Sequence, residues 1–226
     1  MDMNKSDTAI LVTAYTGGNA VDPVFENHFA LKKLMTKTLC KHLSSSGHYV
    51  VLSTHSTVDE ETQGYVNTFI YDHDNRWQID GHPIRPNHGI AELSCIHNAI
   101  NYLKKFPNIK YILKLCYDMR PDIDYGKVIE RSKSHGKSLV AYRDRIGINT
   151  MFFFGSTDFF QKTFPLTDIW RCNVSLESAW FNSITEKSLM NEVYAYSSPE
   201  EHLGLQQGEP IHYSIGGNVI TDYNLQ

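Results

Sequence analysis

Hydrophobic positions along this chain alternate between continuous runs and helical spacing, and the alternation predicts a succession of strands and helices. Residues 9–15, AILVTAY, form a near-continuous apolar run closed by a polar Thr-Gly-Gly turn, as expected of a parallel strand buried on both faces. From about residue 25 to 43, Phe25, Phe29, Leu34, Thr38 and Leu39 recur close to the helical period, and Ser44-Ser-Ser-Gly47 ends that helix. Residues 49–53 and 66–71 read as the second and third strands, and the polar stretch 55–64 between them as a loop or short helix. Residues 76–86 carry Gly81, Pro83 and Pro86 and read as a loop. Asn87-His88-Gly89 then opens a helix with Leu93, Ile96, Ile100 and Leu103 on one face, and this helix delivers the chain to a fourth strand at 111–115.

The second half predicts a helix at 125–134, short strands at 138–142 and 150–154, and a helix at 157–164 with Thr157 as its cap. A further helix falls within 174–189. From Tyr194 the chain is rich in Pro and Gly and is expected to be mostly loop, ending in short strands. The order β-α-β-(α)-β at the start defines the expected class, α/β with a central, mostly parallel sheet flanked by helices, Rossmann-like. No linker or repeat divides the chain. It reads as one domain over 1–226, with a nucleotide-type half over about 1–124 and a less regular half over about 125–226.

Composition narrows the partners. A hydrophobic content of 41% over 226 residues supports one sizeable core. A net charge of −4 argues against a nucleic-acid binder, which usually carries a basic excess. Cys40, Cys95, Cys116 and Cys172 lie far apart, with no CxxC pair or zinc spacing, which suits a reduced compartment. The first apolar run is too short for a signal-peptide core, and no run approaches the roughly 18 apolar residues of a membrane span. A cytoplasmic protein with no membrane span is expected, and the sequon Asn173-Val-Ser175 is then accidental.

The chemistry concentrates after the fourth strand. Residues 111–115 are apolar but for Lys114, and Pro121 stops the ladder, so Asp118, Asp122 and Asp124 emerge in a loop at the strand's C-terminal end. In open α/β sheets ligands bind at that edge, and clustered carboxylates suit a hard divalent cation that also binds substrate phosphates. The third strand ends likewise in Asp72-His-Asp74. The other reading of the first cluster is a solvated acidic turn, and of Asp72 and Asp74 an Asx-type turn before Asn75.

The helix opened by Asn87-x-Gly89, running into Tyr-Ile-Leu-Lys-Leu-Cys-Tyr-Asp118, resembles the GT-A-type glycosyltransferases, in which a comparable helix leads into a strand closed by a DxD motif. The resemblance is to small single-domain forms of bacteria and large DNA viruses, and it lies in arrangement more than in identities. Cys116 replaces the first Asp of the motif, and Asp118 holds the place of the second. The resemblance implies a nucleotide-sugar donor, most often a UDP-sugar, a glycan or glycoconjugate acceptor, and a divalent metal, Mn²⁺ or Mg²⁺. The metal falls on Asp118, aided by Asp122 or Asp124, or else on Asp72 and Asp74, where the family more often binds the nucleoside.

Sugar transfer builds negative charge on the departing diphosphate, which cations and basic side chains stabilise. Lys114, Arg120 and His88 are the candidate phosphate partners. Main-chain amides from Thr13 onward could add donors, and Tyr15 could stack on the base. An inverting transfer needs a base for the acceptor hydroxyl. Glu177 leads, with Asp158 and Glu200 as alternatives, and Trp170 or Trp180 could stack on a sugar. A metal-dependent phosphohydrolase and a non-catalytic nucleotide-binding module are the competing readings.

Overall fold

The computed structural model describes residues 6–14, 23–55, 57–72, 88–145, 147–164, 175–212, 214–215 and 218–219. The order of elements is β1 (Thr8–Ala14), α1 (Pro23–Ser44), β2 (Tyr49–Thr54), α2 (Glu60–Gly64), β3 (Thr68–Tyr71), α3 (His88–Leu103), β4 (Tyr111–Cys116), α4 (Tyr125–Ser134), β5 (Leu139–Tyr142), β6 (Phe152–Ser156), α5 (Thr157–Thr163), α6 (Leu176–Glu186), β7 (Val193–Tyr196), α7 (Pro199–Leu203), β8 (Ser214–Ile215) and β9 (Asn218–Val219). Among the described residues β1 to β7 form one sheet in the order β3-β2-β1-β4-β6-β5-β7, and β8 pairs with β9 apart from it. All pairings in the large sheet are parallel except those of β6, which runs against both β4 and β5. The expected α/β architecture is therefore what forms.

Strand alternation builds two cores. Ile10, Val12, Val50, Leu52, Leu113 and Leu115 pack with α1, α4 and α7 on one face. Ala9, Leu11, Val51, Ile112 and Phe153 pack with α3, α5 and α6 on the other. β1 is wholly buried because it is covered on both faces and paired on both edges, which accounts for the apolar run at 9–14. Trp180 is fully buried against Phe153, Phe160 and Phe164 and donates its indole N–H to Thr163 Oγ1 at 3.0 Å. It is a core residue, and Trp170 lies outside the described residues.

Local differences from the sequence reading have physical causes. The inward stripe of α1 is Met35, Leu39, Cys40 and Leu43; of the positions read as its apolar stripe Leu39 faces the core, whereas Leu34 is 47% exposed. β6 begins at Phe152, since Asn149 Oδ1 accepts the Met151 N–H at 2.8 Å and keeps that residue in a turn. Ser156 rather than Thr157 caps α5, accepting from the Phe159 amide. The segment expected as loop after Tyr194 contains β7 and α7. The short Val-Tyr-Ala-Tyr strand pairs with β5, and Ser198 caps α7 with Pro199 in its first turn. Among the described residues no helix is long and apolar enough to cross a membrane.

The α4–α7 seam makes stability depend on pH. His202 on α7 is fully buried, its ring stacked 4.8 Å from Tyr196 and its Nε2 3.3 Å from Ser132 Oγ. Burial, with Arg131 and His135 nearby, pushes its pKa down to about 3. An unfolded histidine protonates near 6.5. Between those values the unfolded chain binds the extra proton, so the stabilisation from His202 is full above pH 6.5 and is lost as pH falls toward 3. The expected slope is about 1.4 kcal/mol per pH unit. Urea denaturation between pH 6 and 4.5 should show a shallower pH slope, by about that amount, for His202→Gln than for the parent chain. Parallel slopes would contradict this origin.

Candidate functional site

Strand order reverses between β1 and β4: the chain passes outward from β1 to β2 and β3, and outward from β4 to the remaining strands. In open α/β sheets the crevice at such a reversal, beyond the carboxyl ends of the strands, holds the ligand. Thr13 and Cys116 are register partners there, and the Thr13 carbonyl accepts the Tyr117 amide at 3.1 Å, so the two strand ends are tied together.

The chain leaving β4 puts Asp118 at this edge, only 6% exposed. Its Oδ2 lies 3.1 Å from His212 Nδ1, brought there by an antiparallel bridge between Met119 and His212. Among the described residues, Asp118 Oδ1 is buried without a hydrogen-bond partner, and the enclosed His212 Nδ1 has only its 3.1 Å contact with Asp118 Oδ2. A buried carboxylate oxygen without a donor is costly, and this oxygen beside an imidazole nitrogen is a natural pair of ligands for a cation. No group of three His, Cys, Asp or Glu able to hold a metal exists among the described residues. Further oxygens would have to come from substrate or water, which is how Mg²⁺ usually binds beside phosphates. Asp118 and His212 offer donor atoms of the types a divalent cation takes.

The other acids of the loop are engaged elsewhere. Asp122 takes two hydrogen bonds from Arg120, at 2.9 Å from Nε and 2.6 Å from Nη2, and this fork holds its carboxyl below the usual range. Asp124 caps α4, accepting the Lys127 amide at 3.1 Å. Arg120 also donates Nη1 to the Pro210 carbonyl at 2.9 Å.

Lys114 points from β4 to the α3 side of the sheet and is fully buried. Its ammonium pairs with Glu92 Oε1, donates to the Thr150 carbonyl at 2.6 Å, and lies 3.1 Å from Cys116 Sγ and 3.2 Å from the Met151 carbonyl. Burial alone would depress this ammonium, but Cys116 and Glu92 hold it above the ordinary lysine value. Its three protons are thus directed to groups within the protein. Thr150 links this pair to Glu177: its hydroxyl lies 2.9 Å from Glu177 Oε1 and 3.3 Å from Glu92 Oε2. The hydroxyl has one proton, so the nearer Glu177 oxygen receives it. Glu177 stands in the first turn of α6, where the helix dipole favours a carboxylate. The β5–β6 turn presses on that helix start so closely that a Cβ on Gly147 would lie 2.5 Å from the Glu177 carbonyl oxygen.

Asp72 directly follows β3, 8% exposed, accepting from Ser94 Oγ on α3 and lying 3.7 Å from His55 Nδ1. Thr13, Asp72, Lys114, Asp118, Arg120 and Glu177 therefore share the C-terminal edge or the seam beneath it. Asp158 does not, because it follows Ser156, which pairs with Tyr111 at the opposite end of β4, about 17 Å along the strand. Glu200 lies in the first turn of α7, which packs with α4 on the α1 face of the sheet near β5 and β7. Tyr15 and Asp74 fall outside the described residues, as does the side chain of His88, the first residue of α3.

Three site residues escaped the sequence reading. Glu92 was within reach, because a lysine in a buried strand demands a partner and position 92 precedes Ile96 and Ile100 by helical steps of four. Thr150 and His212 carry no periodic signal, and only the tertiary fold brings them in.

No protein-family model matches the sequence, and no curated protein matches it. Solved structures do resemble the fold. One, provisionally named a nucleotide-diphospho-sugar transferase, from Desulfovibrio desulfuricans, aligns with 8% identity over 85% of this chain and 80% of its own, at a TM-score of 0.54. A cytidylyltransferase from Leptospira borgpetersenii aligns with 15% identity over 85% and 76%, at 0.50. A protein of Aquifex aeolicus aligns with 10% identity over 92% and 96%, also at 0.50. These likenesses show the class of fold: a GT-A-like α/β fold with a mixed, mostly parallel sheet.

Proposed function

We propose that this protein is a glycosyltransferase that moves a sugar from a nucleotide-diphosphate donor, a UDP-sugar foremost, to a hydroxyl of a glycan or glycoconjugate. The observation that carries the reading is the pairing of the buried Asp118 with His212 at the reversal point of the sheet, which leaves Asp118 Oδ1 without a hydrogen-bond partner. The donor's nucleoside would lie toward the ends of β1 and β3, near Thr13 and Asp72, and its diphosphate toward Asp118. Asp118 and His212 would hold a divalent cation, which when bound draws charge from the departing diphosphate.

Glu177 acts as the base. Thr150 engages its Oε1, which leaves Oε2 to take the proton from the acceptor hydroxyl as that oxygen bonds to the anomeric carbon and the bond to the diphosphate breaks. Attack from the side opposite the leaving group inverts the anomeric centre. Lys114 contributes indirectly, by neutralising Glu92 so that Thr150 and Glu177 are not set against an unpaired carboxylate.

Thermal shift tests the reading. UDP or GDP at about 100 times its Kd should stabilise the protein by about 2.7 kcal/mol, and much more weakly when chelator replaces Mn²⁺. Equal shifts with and without metal would remove the metal-dependent reading. Release of diphosphate from CTP, with no turnover of any nucleotide sugar, would move the protein to nucleotidyl transfer.

A further inference from the structure

The loop after β4 and the segment 209–212 are joined at more points than the Asp118–His212 contact. The Arg120 amide donates to the Ile211 carbonyl at 3.1 Å, and Arg120 Nη1 donates to the Pro210 carbonyl at 2.9 Å. The same Nη1 lies 3.8 Å from Glu209 Oε1, and Met119 bridges His212. The remaining side of the guanidinium is held by the two-pronged bond to Asp122. From below, the buried Tyr125 donates its hydroxyl to the Arg120 carbonyl at 2.7 Å, which fixes the Arg120 backbone to the core. Arginine suits this task because its planar fork can grip a carboxylate and still present a donor in a set direction.

We propose that Arg120, gripped by Asp122, is a positioning residue: it docks the 209–212 segment on the β4–α4 loop and thereby holds His212 against Asp118. The role deepens the glycosyltransferase reading and rests on it only for the use to which the docked histidine is put. Arg120 then serves the site through the polypeptide it anchors, and its donors are directed away from the phosphate role that its sequence position suggested. Asp122 sets the guanidinium in place and leaves cation binding to Asp118.

Amide hydrogen exchange on the protein without metal or nucleotide reads the docking by itself. In Arg120→Ala, the residue-120 amide and peptides covering 206–212 should exchange at least about ten-fold faster than in the parent chain, while β1 and β2 keep their protection. Arg120→Lys should fall between, because an ammonium cannot grip Asp122 by a fork and hold Pro210 at once. Mn²⁺ titrated in the presence of UDP should bind about 10–100-fold more weakly to Arg120→Ala, the range typical of lost outer support at a metal site. Asp122→Asn should likewise speed exchange and weaken Mn²⁺ binding, and because this side chain is 64% exposed the substitution leaves the core untouched. Parent-like exchange in Arg120→Ala would overturn the docking role. Fast exchange with unchanged Mn²⁺ affinity would overturn the positioning role. A parent chain that binds no Mn²⁺ with any nucleotide would instead defeat the functional reading, and the exchange result would still decide the docking.

Discussion

Asp118→Asn should lower turnover of a nucleotide sugar by at least about 10²–10³-fold, the scale on which loss of one electrostatic contact to a developing charge is felt. The substitution keeps the shape of a side chain that is 6% exposed, so the fold should persist. It removes the charge that makes the unpartnered Oδ1 a cation ligand and takes the carboxylate charge out of the contact to His212. Nucleotide binding should then lose its dependence on Mn²⁺, visible as equal thermal shifts with metal and with chelator. Asp72→Asn provides the contrast. Asp72 accepts from Ser94 and faces His55, so its loss should weaken donor binding while the response to metal survives. The reverse pattern would relocate the cation to Asp72 and Asp74.

Glu177→Gln should reduce kcat by about 10²–10⁴-fold, the usual contribution of a positioned base. Donor affinity should stay near that of the parent chain, because the group meets the acceptor rather than the nucleotide. Glutamine can still accept the Thr150 hydroxyl bond through its amide oxygen, so α6 should start where it does now, and melting temperature should change little. The kcat loss should also appear in kcat/KM, the signature of a contact made in the transition state. Near-normal turnover would free Glu177 of the role, and so would a product that NMR shows to retain the donor's anomeric configuration. Of the alternatives, Glu200 would be tested first, since Asp158 lies at the far end of β4.

The sheet was legible because its strands are covered on both faces, so that short, β-branched-rich apolar runs such as 9–14, and 111–115 broken only by Lys114, stand between turn signals. Asp118 was legible because Pro121 ends the strand and leaves acids at its carboxyl end. Less visible was the fate of the acids beside it. Asp118 and Asp122 stand close together in one loop, yet Asp122 is spent on Arg120 and Asp118 is buried with an open oxygen. Only a side-chain geometry that includes residues 209–212 separates them. The lysine in β4 was visible as an anomaly, but its ion pair with Glu92 depends on the way α3 crosses the sheet. β7 was obscured by its length: four residues between a turn and a Pro-started helix give too short an alternation to stand out, and its pairing partner lies some fifty residues back.

The register of the central strands sets the order in which this sheet can be built. β1 pairs with β2 about 40 residues downstream but with β4 about 100 residues downstream, Thr8 lying opposite Tyr111. The second pairing has to close a long loop before it gains any contact, which slows folding of sheets of this kind. During synthesis the first three strands can associate early, leaving one flank of β1 with its main-chain N–H and C=O groups open. An apolar strand with an open edge readily recruits the wrong partner, so the interval between the emergence of β1 and that of β4 is when a nascent chain of this sequence is most exposed to misassembly.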